Sequence, residues 1–474
     1  MESAGEDAVS DEKSTLQRLL GRVVDVRGDE VRAMLTSFAF FFLLLSSYFV
    51  LRPIRDAVAA ASGVNQLTWM FAGTLGATLL CNPLFSALVV RFPIRRVISI
   101  SYQFFVASML VFYVALRFIS SGEGSTVDVW MGRVFYVWLT VFALFNTSIF
   151  WSLMADSFNS DQAKRMFGFI GVGGTLGSIS GSAVTASLAN TVGPSNLMLV
   201  SAVLLELAIV VIVLNPLQKR QGEPAAARGG RDKTSDADVI GGSVWAGFTK
   251  IVRSPYLLGI CAFLLFYTVG STFLYFQQSD IVGHFYAGKA AAAAVLGRLE
   301  LAAQVLTVVT QMFLTGRIIR WLGLAVTLAF LPAMSMLGFG SLAAAPVFTT
   351  LAVFTILRRA SNFSLTNPAM EVLFTVVPRE DKYKAKNIIE TFVYRGGDQV
   401  GAQLYAGLVA LGLSLAGVSL VAVPLSAVWL VLALWLGRRQ ASLARALTVS
   451  VPHGLTQEEP LTDARVPSPT QVAT

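Results

Sequence analysis

Seven ionisable side chains interrupt runs of mostly apolar residues in this chain: Glu206, Arg298, Glu300, Arg358, Arg359, Arg395 and Asp398. The planar fork of arginine grips two oxygens of a phosphate or carboxylate at once. Carboxylates in such surroundings act as counter-ions or proton carriers. Groups for covalent or metal chemistry are scarce. The chain has two histidines, His284 and His453, and two cysteines, Cys81 and Cys261, both inside apolar runs. It contains no HExxH, no CxxC and no histidine pair, so no metal site or cofactor is expected and no nucleophile–base pair points to an enzyme. The chemistry on offer is ionic recognition, and four positive groups against three negative ones permit an anionic substrate without requiring one.

The elements that carry these residues follow from composition. Of 474 residues, 55% are hydrophobic and 14% charged, against about 25% charged in an ordinary soluble domain. A soluble fold would leave large apolar patches in water, which excludes a soluble enzyme, a disordered protein and a nucleic-acid-binding module. The net charge of +8 comes from basic residues in short loops, where membrane topology accounts for them. A bilayer-crossing helix needs about 20 mostly apolar residues. Twelve runs qualify, near 31–51, 67–90, 97–119, 129–154, 167–189, 196–216, 256–277, 290–314, 321–342, 347–368, 388–412 and 415–437. They lack the two-residue alternation of barrel strands. The fold class is therefore an all-α polytopic membrane protein with twelve spans in two six-helix bundles, laid out like a major facilitator transporter.

Lys and Arg distribution predicts both termini in the cytoplasm, in a cell (inner) membrane. Only Arg52, Arg55, Arg117 and Lys289 then fall on the far side. The expected organisation is an amphipathic N-terminal segment (1–30), a first bundle (31–216), a cytoplasmic linker (217–255), a second bundle (256–437) and a disordered tail (438–474). The acid-rich first thirty residues do not resemble the basic start of a signal peptide. The first span could run on past Pro53, and the tenth has a break signal at Asn367-Pro368.

By helical rise, the six deep charges of the second half lie roughly 10–17 Å from the nearer end of their spans. Left in lipid they would cost on the order of 15–20 kcal/mol together, so they are expected to face a protein interior or a watery cavity. Internal ion pairs, such as Arg395 with Asp398 three residues on, are the alternative. Gly173, Gly177 and Gly181 recur every four residues in span five, a spacing that lets a second helix approach closely. The neighbouring Gly171-Val-Gly173-Gly174 lacks the preceding strand and the final glycine of a dinucleotide loop.

Three stretches together resemble the ATP/ADP antiporter family of nucleotide translocases. They are Leu51-Arg-Pro-Ile-Arg55-Asp56; Phe150-Trp151-Ser-Leu-Met-Ala155-Asp156 with Gln162-Ala163-Lys164-Arg165; and the segment from Pro368 and Glu371 through Lys382, Lys384 and Lys386 to Arg395-Gly396-Gly397. The resemblance implies a major-facilitator-like exchanger in which Arg55, Asp156 and Arg395 are transport-critical. The family usually carries Lys at the two basic positions, and Arg keeps the charge with a different geometry. The resulting expectation is alternating access for a nucleotide or another phosphorylated anion. Arg55, Arg395, Arg298, Arg358 and Arg359 would contact substrate, and Asp156, Glu300 and Asp398 would gate or couple. The partners are the substrate and the lipid bilayer, with no nucleic acid, and the chain is read as a monomer. A major facilitator for a different solute, coupled to protons through Glu300 or Asp398, is the alternative. A non-transporting sensor or intramembrane enzyme is a more remote one.

Overall fold

The computed structural model describes residues 30–215, 251–377 and 389–449. Most of the predicted N-terminal segment and linker, the lysine-rich loop, and the tail beyond residue 449 lie outside them. The described residues are all-helical. Before residue 216 run α1 (Val31–Ala60), α2 (Val64–Arg91), α3 (Ile94–Val114, continued by a π turn), α4 (Thr126–Ser157), α5 (Ser160–Val192) and α6 (Pro194–Leu214). After residue 250 come α7 (Pro255–Phe285), α8 (Lys289–Phe313), α9 (Thr315–Ala344), α10 (Phe348–Ser361), α11 (Asn367–Leu373), α12 (Tyr394–Ala410) and α13 (Leu415–Val449).

Among the described residues nine helices are long and apolar enough to cross a membrane. The other three predicted spans coincide with α2, with the α10–α11 segment and with α12. The tenth is interrupted by a π turn at Asn362–Thr366 just before Asn367-Pro368; Pro368 has no N–H to give to the preceding turn, while Asn367 keeps helical angles. Two boundaries differ from expectation. Helix α1 does not end near residue 51; it passes through Pro53 to Ala60, so Arg52 and Arg55 sit inside a helix and not in a loop. Helix α13 continues past residue 437 to Val449, because Gln440 is buried and reaches the Thr375 hydroxyl at 3.4 Å.

Small and hydroxyl residues bind α1 to its neighbours. A Cβ on Gly173 would stand 2.6 Å from the Phe38 carbonyl oxygen, and one on Gly177 or Gly181 would overlap the carbonyl of Phe42 or Ser46. The four-residue glycine row of α5 therefore lies against a four-residue row of α1 backbone. The Ser46 and Ser180 hydroxyls meet at 2.8 Å, those of Ser47 and Ser201 at 2.8 Å, and the Thr185 hydroxyl donates to the Val50 carbonyl at 2.7 Å. Each satisfies a polar group that lipid could not.

The helices before residue 216 and those after residue 250 share one apolar core only towards the end where α1 finishes. There a Cβ on Gly283 would stand 2.5 Å from the Ala60 carbonyl oxygen, and one on Gly297 would stand 2.8 Å from the Ala186 nitrogen. Lys289 Nζ lies 2.6 Å from both carboxylate oxygens of Asp128. At the opposite end, Tyr256, Ile260, Leu331, Leu373, Trp429 and Leu436 form a separate core made solely of the later helices. The two sets of helices are locked together at one end and independently packed at the other.

Candidate functional site: a cationic cavity between the two sets of helices

A cavity of about 350 Å³ lies between the two sets, within the range of small-molecule sites. Its walls come from α1, α2 and α4 on one side and α7, α10 and α12 on the other. Five guanidinium groups face it: Arg52, Arg55, Arg358, Arg359 and Arg395. Arg52 and Arg55 occupy one face of α1 because they are three residues apart. Arg358 and Arg359 sit at the end of α10, where the π turn begins.

Three carboxylates accompany them. Glu300, buried on α8, receives Arg52 Nη1 from α1 at 3.1 Å on one oxygen and pairs with Arg359 of α10 through the other. Gln304 Nε2 donates to the first oxygen at 3.0 Å. Asp56, also buried, accepts Arg55 Nε and Nη2 at 3.0 and 2.7 Å, and the Tyr275 hydroxyl of α7 at 2.9 Å. Asp398 lines the cavity with Arg395 at 3.8 Å, a loose contact. Both tight clusters therefore link α1 to the later helices.

Arg358 differs from the other four. It is 5% exposed and has no carboxylate partner among the described residues. Its Nε donates to Ser335 Oγ at 3.2 Å, its Nη1 to Ser271 Oγ at 2.9 Å and its Nη2 to the Tyr267 carbonyl at 3.2 Å. The Tyr267 ring lies 5.4 Å from the guanidinium carbon, close enough for cation–π attraction. The charge is thus held rigid by neutral groups and left uncompensated. Taking the five arginines against the three carboxylates, the site carries a formal surplus of two positive charges. Tyr48, Phe71, Tyr136, Tyr267, Tyr275 and Tyr394 supply aromatic wall between them. Such a site can hold a multiply charged anion by bidentate contacts and stack a planar group.

Of the residues singled out in sequence, Arg55, Arg358, Arg359, Arg395 and Asp398 line this cavity, and Glu300 lies directly behind it. Arg298 does not join them. It is exposed, and two residues from Glu300 puts it about 200° round the helix, on the far face. Asp156 also stays apart, exposed at the end of α4. At that end of the bundle it is Glu30 that pairs with Arg165, at 3.0 Å, and accepts Gln162 at 2.9 Å. Sequence reasoning missed Arg52, Asp56 and Tyr275 as site residues. Arg52 and Asp56 stand beside Arg55 in the motif, and extending the first helix through Pro53 would have brought all three inside.

The fold and this cavity define a multi-pass membrane transporter. The chain belongs to the Major Facilitator Superfamily, whose profile matches residues 33–397. It is 26% identical to "ADP,ATP carrier protein 2" of Chlamydia pneumoniae over 222 residues, 42% of this chain and 41% of that protein. It is 23% identical to the protein of the same name from Chlamydia trachomatis over 226 residues, 42% of each. The chain thus spans about two fifths of the length of the curated relatives it matches. Among solved structures it resembles a POT family transporter in complex with a thioalcohol-conjugated peptide, with a TM-score of 0.58, 11% identity and coverage of 87% of this chain and 96% of that one. It also resembles the nucleoside transporter NupG, with a TM-score of 0.51, 14% identity and coverage of 89% and 98%. At these identities the likeness is one of fold.

Proposed function

We propose that this transporter moves a phosphorylated organic anion, foremost a nucleotide of the ATP and ADP type, by exchange. The observation that carries the reading is the surplus of guanidinium over carboxylate around a cavity built from both sets of helices. The name of the two chlamydial relatives supports the nucleotide class. Residues 31–216 and 256–437 would act as two bundles rocking about the cavity. With both termini in the cytoplasm of a cell whose inner membrane holds the protein, the shared core and the Lys289–Asp128 pair close the outer side. The cavity then faces inward. Arg358 and Arg395 are the groups least committed to internal carboxylates and would receive the anion first. Arg55 and Arg359 would exchange part of their pairing with Asp56 and Glu300 for phosphate oxygens, which ties occupancy to movement of α1 against α10. Asp156 would act at the inner rim.

The test is uptake into proteoliposomes with labelled ATP, ADP and a panel of organic phosphates, with and without internal counter-substrate. Uptake that requires internal anion supports exchange. Folded, oriented protein that takes up no nucleotide and no organic phosphate sinks the reading. One observation favours a second reading. Asp398 exposes a carboxylate to the cavity only loosely paired with Arg395, as a proton-coupled carrier of another solute would need. Uptake of a neutral compound driven by an imposed pH gradient, and abolished in Asp398→Asn, would favour it.

A further inference from the structure

Four glutamines are buried among the described residues: Gln277, Gln278, Gln304 and Gln440. Gln277 donates to Ser419 Oγ at 2.8 Å, Gln304 to Glu300 Oε1 at 3.0 Å and Gln440 to Thr375 Oγ1 at 3.4 Å. Gln278 is 3% exposed and lines the cavity between the two sets of helices. Its carboxamide has no hydrogen-bond partner among the described residues. A buried amide that goes unpaired is destabilising, so one that faces a ligand-sized space points to a partner on the ligand.

Tyr267, Ser271, Leu274, Tyr275 and Gln278 line the cavity as one stripe of α7, at the three- and four-residue spacing of a helix face. Arg358 is fixed at one end of this stripe, by the Tyr267 carbonyl and Ser271 Oγ. Arg395 belongs to the same end, next to Tyr394, whose ring lies 6.0 Å from that of Tyr267. Gln278 is at the other end, towards the locked side of the bundle, about 10–16 Å along the axis from Ser271 and Tyr267. There Phe71 of α2 stands 5.8 Å from the Tyr275 ring and 6.4 Å from that of Tyr136. Arg55 also approaches this end, but its Nε and Nη2 are both bonded to Asp56, which accepts the Tyr275 hydroxyl as well. The cavity's other unpartnered buried amide, Asn362, follows Arg359 by three residues and goes with the guanidinium groups.

We infer that Gln278 reads the base of the nucleotide, flanked by Phe71 and Tyr275, while Arg358 and Arg395 hold the phosphates at the far end of the stripe. A carboxamide offers an acceptor and two donors. Its C=O accepts from the exocyclic amine of adenine and its N–H donates to the adjacent ring nitrogen. A guanidinium has donors only and cannot make that pair. The aromatic rings supply faces against which the planar base packs. Base and terminal phosphate stand at opposite ends of an extended nucleotide, as the amide and the guanidinium groups stand at opposite ends of the stripe. The assignment rests on the reading that the solute is a nucleotide, and adds the group that distinguishes its base from bare phosphate.

The experiment measures binding of labelled ADP to the purified full chain, competed by purine riboside 5′-diphosphate, which lacks the exocyclic amine, and by inorganic pyrophosphate. The wild type is expected to bind ADP at least tenfold more tightly than the amine-free analogue, because a site built to pair with an amine rejects its absence. Gln278→Met, which keeps the length of the side chain, should bind the two alike and hold pyrophosphate within about twofold of wild type. Equal affinity of the wild type for ADP and the analogue overturns the assignment. So does a variant that keeps the tenfold preference, or one that loses pyrophosphate as steeply as ADP. Should Gln278→Met not fold, Gln278→Asn, which withdraws the amide by one methylene, must still lower the preference for ADP over the analogue several-fold; an unchanged preference overturns it. Folded wild type that binds neither ADP nor pyrophosphate removes the nucleotide reading itself, a result distinct from binding both diphosphates without preference.

Discussion

Arg52 of α1 and Glu300 of α8 meet at 3.1 Å across the boundary between the two sets of helices. The same carboxylate holds Arg359 of α10 by its other oxygen. One buried acid therefore neutralises two arginines from opposite sides of the cavity and fastens the sides together while doing so. Removing it leaves like charges facing each other in a partly dry space. Glu300→Gln is expected to lower stability by about 2 kcal/mol, less than the roughly 3–5 of a fully dry pair, because both arginines touch the cavity. Thermal unfolding in detergent measures this. A nucleotide or polyphosphate should raise the melting temperature of the variant more than that of the wild type, since an added anion replaces the lost charge.

Arg358→Met should lose anion binding at least tenfold yet keep the fold. The lost groups are a charge and three hydrogen bonds to neutral acceptors, and no carboxylate is stranded. Arg358→Lys should not restore binding, because one ammonium cannot reach Ser335, Ser271 and the Tyr267 carbonyl together. Equilibrium binding of a labelled nucleotide to purified protein checks both variants.

Arg55→Ala and Arg298→Ala remove the same charge with opposite consequences. Arg55 lines the cavity and Arg298 lies on the far face of its helix. Transport per folded molecule should fall at least tenfold in the first and stay within about twofold of wild type in the second. Equal loss in both would break the assignment of the cavity as the substrate site.

Lys289→Gln should loosen the closed end. The ammonium holds both oxygens of Asp128 at 2.6 Å, and among the described residues Asp128 is otherwise tied only locally, to the Gly124 nitrogen at 2.9 Å and to Ser125. A cysteine at Ser62 on this face should react faster with a membrane-impermeant maleimide in the variant. The doubly exchanged Lys289→Asp with Asp128→Lys should return the rate towards that of the wild type.

Gly177→Leu should destabilise by about 1–3 kcal/mol, because its Cβ would overlap the Phe42 carbonyl of α1 and α1 carries two cavity arginines. Gly168→Leu, on the same helix with no atom within 4 Å of its Cβ position, is the control and should change the melting temperature little.

Local patterning made much of this protein readable. The apolar runs are one-dimensional facts, since a bilayer demands internally hydrogen-bonded backbone over a set length. The four-residue glycine row announces close packing wherever the helix ends up. The cost of deep charge marked Arg358, Arg359, Arg395, Asp398 and Glu300 as interior groups. Hydropathy misread Arg52 and Arg55, because a charged Arg-Pro-Ile-Arg-Asp stretch looks like a loop unless the neighbouring helices are there to solvate it. It also grouped Arg298 with Glu300, because depth along a helix is visible in sequence and the direction it faces relative to other helices is not.

The sequence by itself determined that this chain crosses a membrane repeatedly and carries arginines and carboxylates where lipid would reject them. Which of those charges meet between different helices was decided by the tertiary structure alone. Glu300 finds Arg52 248 positions away only because α1, α8 and α10 converge on one cavity. Coulomb energy falls with distance in space, and distance along the chain does not enter it.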